Sequence, residues 1–326
     1  MLGLLGDLAK WPRRLALAAA LTLLPASAFA GPPKLLVTIA QIGEPLGRIL
    51  GDCAEVESLL GPGVDPHLYR LTRSDTAKAL QADGIVANGL NLEAQMRTLF
   101  ERLAKAKPVI FAGELLDEAQ IMRPAGASPD PHIWMDPALW RQVLERTADR
   151  VASDWPECAP AIAKGAPPVL AEIEAVERYV AGELAKIPES ARVLITAHDA
   201  FGYFGRRYGF EVRGVQGLST ESEAGVAHIR DLARLIADKR IQAVFAETST
   251  ADRAVEAVLE GAAALGAKAV KGPALFSDAM GPPGTYEGRY VGMMDHNATA
   301  IAAALGGKPP AKGMHGQLSR ALNIEG

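Results

Sequence analysis

Asp65-Pro66-His67 and Asp130-Pro131-His132 repeat one tripeptide far apart in the chain, and His198-Asp199 again sets a histidine beside an aspartate. An imidazole that binds a metal through one nitrogen usually gives its other N–H to a carboxylate, a carbonyl or water, which fixes the tautomer and aims the ring. Three of the six histidines stand in such settings. A catalytic dyad needs one histidine, whereas a metal cage needs several, so these residues point to metal ligation. Asp278, in Phe276-Ser277-Asp278, adds a carboxylate. Three imidazoles and one carboxylate suit Zn²⁺ in fourfold geometry, and bidentate carboxylate binding would make room for Mn²⁺. Asp65, Asp130 and Asp199 suit turns and helix caps as well as support of the histidines. Glu247 either lines the same cleft or caps the helix after it. His228, His296 and His315 read as ordinary surface or helix residues.

The elements around these residues alternate. Lys34–Ala40 (KLLVTIA) reads as a buried strand, followed by a helix from about Pro45, a residue suited to a first helical turn. Strands are expected at 54–60, 84–89 and 108–112, with helices carrying 77–82, 92–105 and 137–154. A helical stretch from about Val169 to Lys186, ending before Pro188, bridges to a second half with the same rhythm. There, strands are expected at 192–196, 242–246 and near 267–271, and helices at 200–208, 224–239, 251–265 and 290–305. Such alternation predicts parallel sheets wrapped by helices. In open sheets of this kind ligands gather beyond the carboxyl ends of strands. His67 and His132 follow first-half strands, and His198 and Asp278 follow second-half strands, which would clamp one ion from both sides.

With 326 residues and a formal charge of −4, the chain is long enough for two domains and carries no basic run that would suit nucleic acid. Lys10, Arg13 and Arg14 precede an apolar run from Leu15 to Leu24 and an Ala28-Phe29-Ala30 end. This pattern is a cleavable secretory signal, too short for a spanning helix. No cysteine directly follows Ala30, so a soluble periplasmic protein with no membrane insertion after cleavage is expected. Cys53 and Cys158 lack the close spacing of a zinc knuckle or redox pair; an oxidising compartment would allow them one disulfide. The expected division is a signal at 1–30, a first lobe at 31–160, a linking helix at 161–187, a second lobe at 188–305 and a peripheral tail at 306–326.

Six further stretches sharpen the reading: GPGVDPHLY (61–69), NGLNLE (88–93), PHIWMD (131–136), TAHDAFGYFGRRYGF (196–210), GLSTESEAG (217–225) and LFSDAMG (275–281). In these motifs the chain resembles the TroA-like metal-binding solute receptors of ABC importers for manganese, zinc or iron. The resemblance implies two α/β lobes joined by one long rigid helix, with a single divalent transition metal between them as cargo. It implies ligands at His67, His132, His198 and Asp278, no catalysed reaction, and delivery to an inner-membrane ABC permease with its ATPase. A monomer is expected, with metal release by local loop movement because the rigid helix limits closure.

Many manganese and iron receptors of this family carry glutamate where His198 stands; histidine is shared with zinc and mixed members. Dedicated zinc receptors often add a histidine-rich loop, and Asp117–Asp130 contains no histidine. Zn²⁺ or Mn²⁺ is therefore the expected cargo, ahead of Fe²⁺. The rival readings are a secreted zinc hydrolase, which would need an open coordination position and a general base, and a metal-binding adhesin on the same fold.

Overall fold

The computed structural model describes residues 31–124, 128–320 and 322. The segment read as a secretory signal, 1–30, lies outside the described residues. Strands β1 (Lys34–Val37), β2 (Glu55–Ser58), β3 (Gly84–Ala87) and β4 (Val109–Phe111) form a first sheet in the order β2-β1-β3-β4. Strands β5 (Val193–His198), β6 (Glu211–Gln216), β7 (Ala243–Glu247) and β8 (Val270–Leu275) form a second in the order β6-β5-β7-β8. Every pairing is parallel. Parallel strands are covered by helices on both faces and so read as continuous apolar runs. Accordingly β3, β5 and β7 are buried at every residue. The edge strand β2 (EVES) instead carries Glu55 and Glu57, which pair with Lys34 and Lys78 and guard an open sheet edge with charge.

Helices α1 (Ala40–Leu50), α2 (Arg73–Gln81), α3 (Ala94–Leu103) and α4 (Pro137–Asp154) accompany the first sheet. The long helix α5 (Ala159–Leu184) links the two halves, and α6 (Gly202–Tyr208), α7 (Val226–Lys239), α8 (Arg253–Ala264) and α9 (Tyr290–Ala304) accompany the second. Two helices start earlier than the sequence pattern puts them. Helix α1 begins at Ala40 and holds Pro45 inside. A proline leaves the carbonyl four residues back without its helical donor. Here that carbonyl, Gln41 O, accepts the indole N–H of Trp140 at 3.1 Å, so a long-range bond replaces the local one. Helix α5 likewise runs through Pro167 and Pro168; the residues four back, Ala163 and Lys164, are exposed, and water can meet their carbonyls. Gly165 lets α5 cross α1 in backbone contact, because a Cβ there would stand 2.2 Å from Ile49 O.

The inner face of α5 is Val169, Ile173, Val176, Val180 and Leu184, the spacing of one helical stripe. Each such buried aliphatic contributes about 1.5–3 kcal/mol of transfer free energy. The same core takes in the first sheet, α4, Trp134, Trp140 and the buried face of α9, while a smaller one lies around Leu232, Ile236, Val244, Val255 and Val258. Arg48 and Arg289 both grip Glu172 of α5. Cys53 and Cys158 form a disulfide with Cα atoms 5.5 Å apart, tying the end of α1 to the start of α5.

Strand β6 has no counterpart among the expected elements; its residues are mostly half-buried, so neither an apolar run nor a strict alternation marks it. Strand β8 begins at Val270 rather than near 267. Part of the tail packs onto the fold: Leu318 is 2 % exposed, and Met314 packs against the main core.

Candidate metal centre

In the second sheet, register builds the site. Pairing of Thr196 with Phe245, carried forward along two parallel strands, brings His198 and Glu247 to adjacent strand ends. Glu247 Oε1 accepts the His198 backbone N–H at 2.8 Å, and its Oε2 lies 2.5 Å from His198 Nδ1. This fixes the imidazole with Nε2 pointing away from the sheet. Asp278 follows β8 in a loop whose backbone is held from two directions. Asn297 accepts from Phe276 N at 2.9 Å and donates to Phe276 O at 2.7 Å. Ser277 O accepts from Trp134 Nε1 at 2.9 Å and Gln41 Nε2 at 3.2 Å, both from the first lobe.

The first-lobe histidines sit on loops, and each Asp-Pro-His is a turn closed by its own aspartate. Asp65 Oδ1 accepts the His67 backbone N–H at 2.8 Å, and Asp130 Oδ1 accepts that of His132 at 3.0 Å. Asp130 also reaches the ring, 2.7 Å from His132 Nδ1. Asp65 instead turns its second oxygen to Thr220 Oγ1, 2.5 Å away in the opposite lobe. The His132 loop is pinned by Asn88 Nδ2, which donates to Pro131 O at 3.0 Å. Asn88 is in turn set by buried Glu93, which accepts from Asn88 N, Gly89 N and Thr38 Oγ1. The turn between them puts Leu90 and Asn91 at positive φ, 53° and 67°, local strain the buried glutamate network offsets.

His67, His132, His198 and Asp278 converge, all four buried, with one candidate ligand atom from each lying within 4.8 Å of the others. His132 Nε2 is 3.3 Å from both His67 Nε2 and His198 Nε2. The Asp278 oxygens lie 3.2 Å from His198 Nε2, 3.4 Å from His132 Nε2 and 3.7 Å from His67 Nε2. A tetrahedral ion with bonds of about 2.0–2.1 Å sets its ligands about 3.4 Å apart, which these spacings match. Both Asp278 oxygens are buried, and the groups that face them are the imidazole nitrogens of His67, His132 and His198. A bare buried carboxylate is costly unless a cation meets it, and the surrounding nitrogens are arranged to share one.

The same environment divides the imidazoles. Burial drives His67 down to about 3, beyond what nearby Asp278 can offset. Burial also opposes charge on His132, but Asp130 and Asp278 outweigh it and carry that ring up to about 9. For His198 burial is likewise outweighed, by Glu247 and Asp278, and the ring is raised well above the ordinary range.

Of the aspartates beside the histidines, Asp130 supports its ring, Asp65 supports only its backbone, and the ring of His198 is held by Glu247 instead of Asp199. Glu247 thus lines the cleft. His228 and His296 approach the backbone carbonyls of Gly214 and Ala274 and stand apart from the cluster. No sequence signal singles out Gln41 or Asn297, whereas Asn88, Glu93, Trp134 and Thr220 lie inside the motifs NGLNLE, PHIWMD and GLSTESEAG.

Residues 35–304 match the profile of the family described as "Zinc-uptake complex component A periplasmic". The chain is 39% identical over 274 residues to the manganese-binding lipoprotein MntA of Bacillus subtilis (strain 168), covering 83% of this chain and 89% of that one. It is 38% identical over 275 residues to the zinc-binding protein TroA of Treponema pallidum (strain Nichols), covering 84% and 89%. The structure of the periplasmic zinc-binding protein TroA from Treponema pallidum superposes with a TM-score of 0.82 over 84% of this chain and 99% of that one. With two parallel sheets, a long linking helix and a buried three-histidine, one-aspartate cluster between the lobes, the chain belongs to this family of non-enzymatic metal-binding receptors of ABC importers.

Proposed function

We propose that the chain captures one Zn²⁺ or Mn²⁺ through the Nε2 atoms of His67, His132 and His198 and the carboxylate of Asp278, and delivers it to an inner-membrane ABC permease with its ATPase. The observation that carries this reading is the buried carboxylate of Asp278 facing three convergent imidazole nitrogens. Four protein ligands complete a tetrahedral set, which leaves no place for the bound water a hydrolase needs. Relatives named for zinc and for manganese share the chain's sequence to nearly the same degree. Intrinsic affinity favours Zn²⁺ over Mn²⁺ at such a site; a second carboxylate contact, open to Asp278 through either oxygen, is what would accommodate Mn²⁺. In this reading the signal is removed after Ala30, the mature monomer works in the periplasm, and lobes 31–160 and 188–305 hold the ion on either side of the helical bridge at 161–187.

The deciding experiment is a metal titration of chelator-stripped mature protein, Zn²⁺ against Mn²⁺, beside His198→Glu. Tight one-to-one binding with a zinc preference that the variant relaxes makes zinc import the leading role. Comparable tight binding of both leaves supply as the selector. No tight binding of either overturns the receptor reading.

A further inference from the structure

The loop that carries Asp278 continues into a hairpin rich in glycine and proline, closed where Gly281 N–H donates to Glu287 O at 2.9 Å. One side of this hairpin faces a cleft of about 430 Å³. Ile39, Gly43, Ser58 and Leu60 form its far wall, and Asp278 contributes to its lining. The hairpin therefore has room to swing towards α1.

What opposes the swing is the C-terminal tail, which is fastened to the hairpin through two buried carboxylates. Glu287 Oε1 accepts both the backbone N–H and the hydroxyl of Ser319, each at 2.7 Å. Asp295 of α9 accepts Tyr286 O–H from the hairpin at 3.1 Å and Met314 N–H from the tail at 2.8 and 3.0 Å. Gly313 sits at φ 64°, and a Cβ there would stand 2.3 Å from Asp295 Oδ1; only glycine lets the tail come this close. Leu318, next to Ser319, is itself buried. Upstream of Asp278 the backbone is pinned by Asn297, Trp134 and Gln41. Downstream the anchors are the hairpin closure, this tail, and, just beyond the hairpin, Arg289 and Tyr290, which meet Glu44 and Glu172.

We infer that residues 308–320 form a strap that keeps Asp278 on the metal, with Glu287 the positioning residue through which the strap acts. The inference rests on Asp278 being a ligand. Metal leaves when the hairpin moves into the cleft beside α1, and the strap sets how often that happens.

The test is the rate at which zinc-loaded mature protein gives up its ion to excess chelator, measured well below the unfolding temperature of the metal-free form. Glu287→Ala loses both tail bonds and is expected to release about tenfold faster, the scale of lost hydrogen bonds to a charged acceptor. Glu287→Gln keeps an Oε1 acceptor and is expected within about twofold of the parent. Gly313→Ala, which pushes the tail off Asp295, is expected to speed release as well. It also decides the matter should Glu287→Ala fail to fold. Protein with Cys53–Cys158 reduced, destabilised elsewhere, is the control and should release at the parent rate. Parent-like release in Glu287→Ala and Gly313→Ala overturns the strap, as does equal acceleration in Glu287→Gln or in the reduced control. A parent protein that binds no zinc would instead overturn the underlying receptor reading.

Discussion

In the second sheet His198 is the last residue of β5, Glu247 the last of β7, and Asp278 follows β8 in a pinned loop. In the first sheet, of matching strand order, neither histidine lies on a strand: His67 follows β2, and His132 lies well beyond β4. Sheet register alone delivers a carboxylate to the strand-borne ring. The loop-borne rings depend on aspartate-closed turns and on the Asn88–Glu93 network, and only His132 gains a carboxylate at Nδ1. One half of the site is thus built into the sheet, and the other is assembled on it.

The largest effects should come from the ligands themselves. His198→Ala and Asp278→Ala are expected to weaken zinc binding by more than about 100-fold, above the ~10–100-fold usual for an outer partner of a ligand. His67→Ala should cost less than His198→Ala, because a mobile side chain or water can more readily replace a ligand held only through its loop. Competition titration with a chromogenic chelator measures all three. Equal losses for His67 and His198 would break the contrast between the lobes.

Next come the carboxylates behind the rings. Glu247→Gln and Asp130→Asn each remove a charge facing Nδ1 and should lower affinity by about 10–100-fold. Asp65→Asn leaves its ring without such a change and should cost clearly less. The comparison fails if Asp65→Asn matches Glu247→Gln.

The divided imidazoles predict how metal binding responds to pH. His132, carried up to about 9 by Asp130 and Asp278 against its burial, holds a proton at neutral pH that a metal must displace. Affinity should therefore fall as pH is lowered from about 9, by about tenfold per unit for each proton displaced, beginning above the usual imidazole range. Titrations in buffers of different ionisation enthalpy would count the protons released, and no release at pH 7 would contradict the assignment.

The metal-free protein should show opposed effects on stability. The raised His132 contributes stability that is complete below 6.5 and lost as the pH rises through about 9. The depressed His67 stays neutral in the fold, and its contribution is present above 6.5 and lost as the pH falls towards about 3. Thermal unfolding of the stripped protein should then peak between these limits, with the alkaline decline made shallower in Asp130→Asn.

The repeated Asp-Pro-His made two of the converging histidines visible in the sequence, and strand-then-loop spacing placed His198 and Asp278 near them. Alternating apolar runs likewise exposed the two parallel sheets. What stayed hidden depends on contacts between distant segments. Proline inside α1 looks like a helix start until Trp140, far along the chain, is seen to occupy the carbonyl it leaves free. Asp199 is adjacent to His198 in sequence but lies just past the end of β5, and the ring's partner, Glu247, comes from the end of the neighbouring strand instead. The tail has too little pattern to reveal that its backbone N–H groups close on Glu287 and Asp295.

The smallest effect expected of the site tests whether the two halves are latched as well as bridged. Thr220 Oγ1 donates across the cleft to Asp65 Oδ2, and burial, the leading influence on Asp65, raises its pKa. Thr220→Val keeps the shape and removes the donor, which should cost about 1–3 kcal/mol at a charged acceptor. Because Asp65 then seeks water or a proton, the His67 turn loosens while His132, His198 and Asp278 keep their supports. Zinc affinity should drop only a few-fold, and Thr220→Ser, which retains the hydroxyl, should restore it. A loss as large as that of Glu247→Gln would mean that the loop-borne half is held mainly from across the cleft, by the opposite lobe, and not by the turns of its own chain.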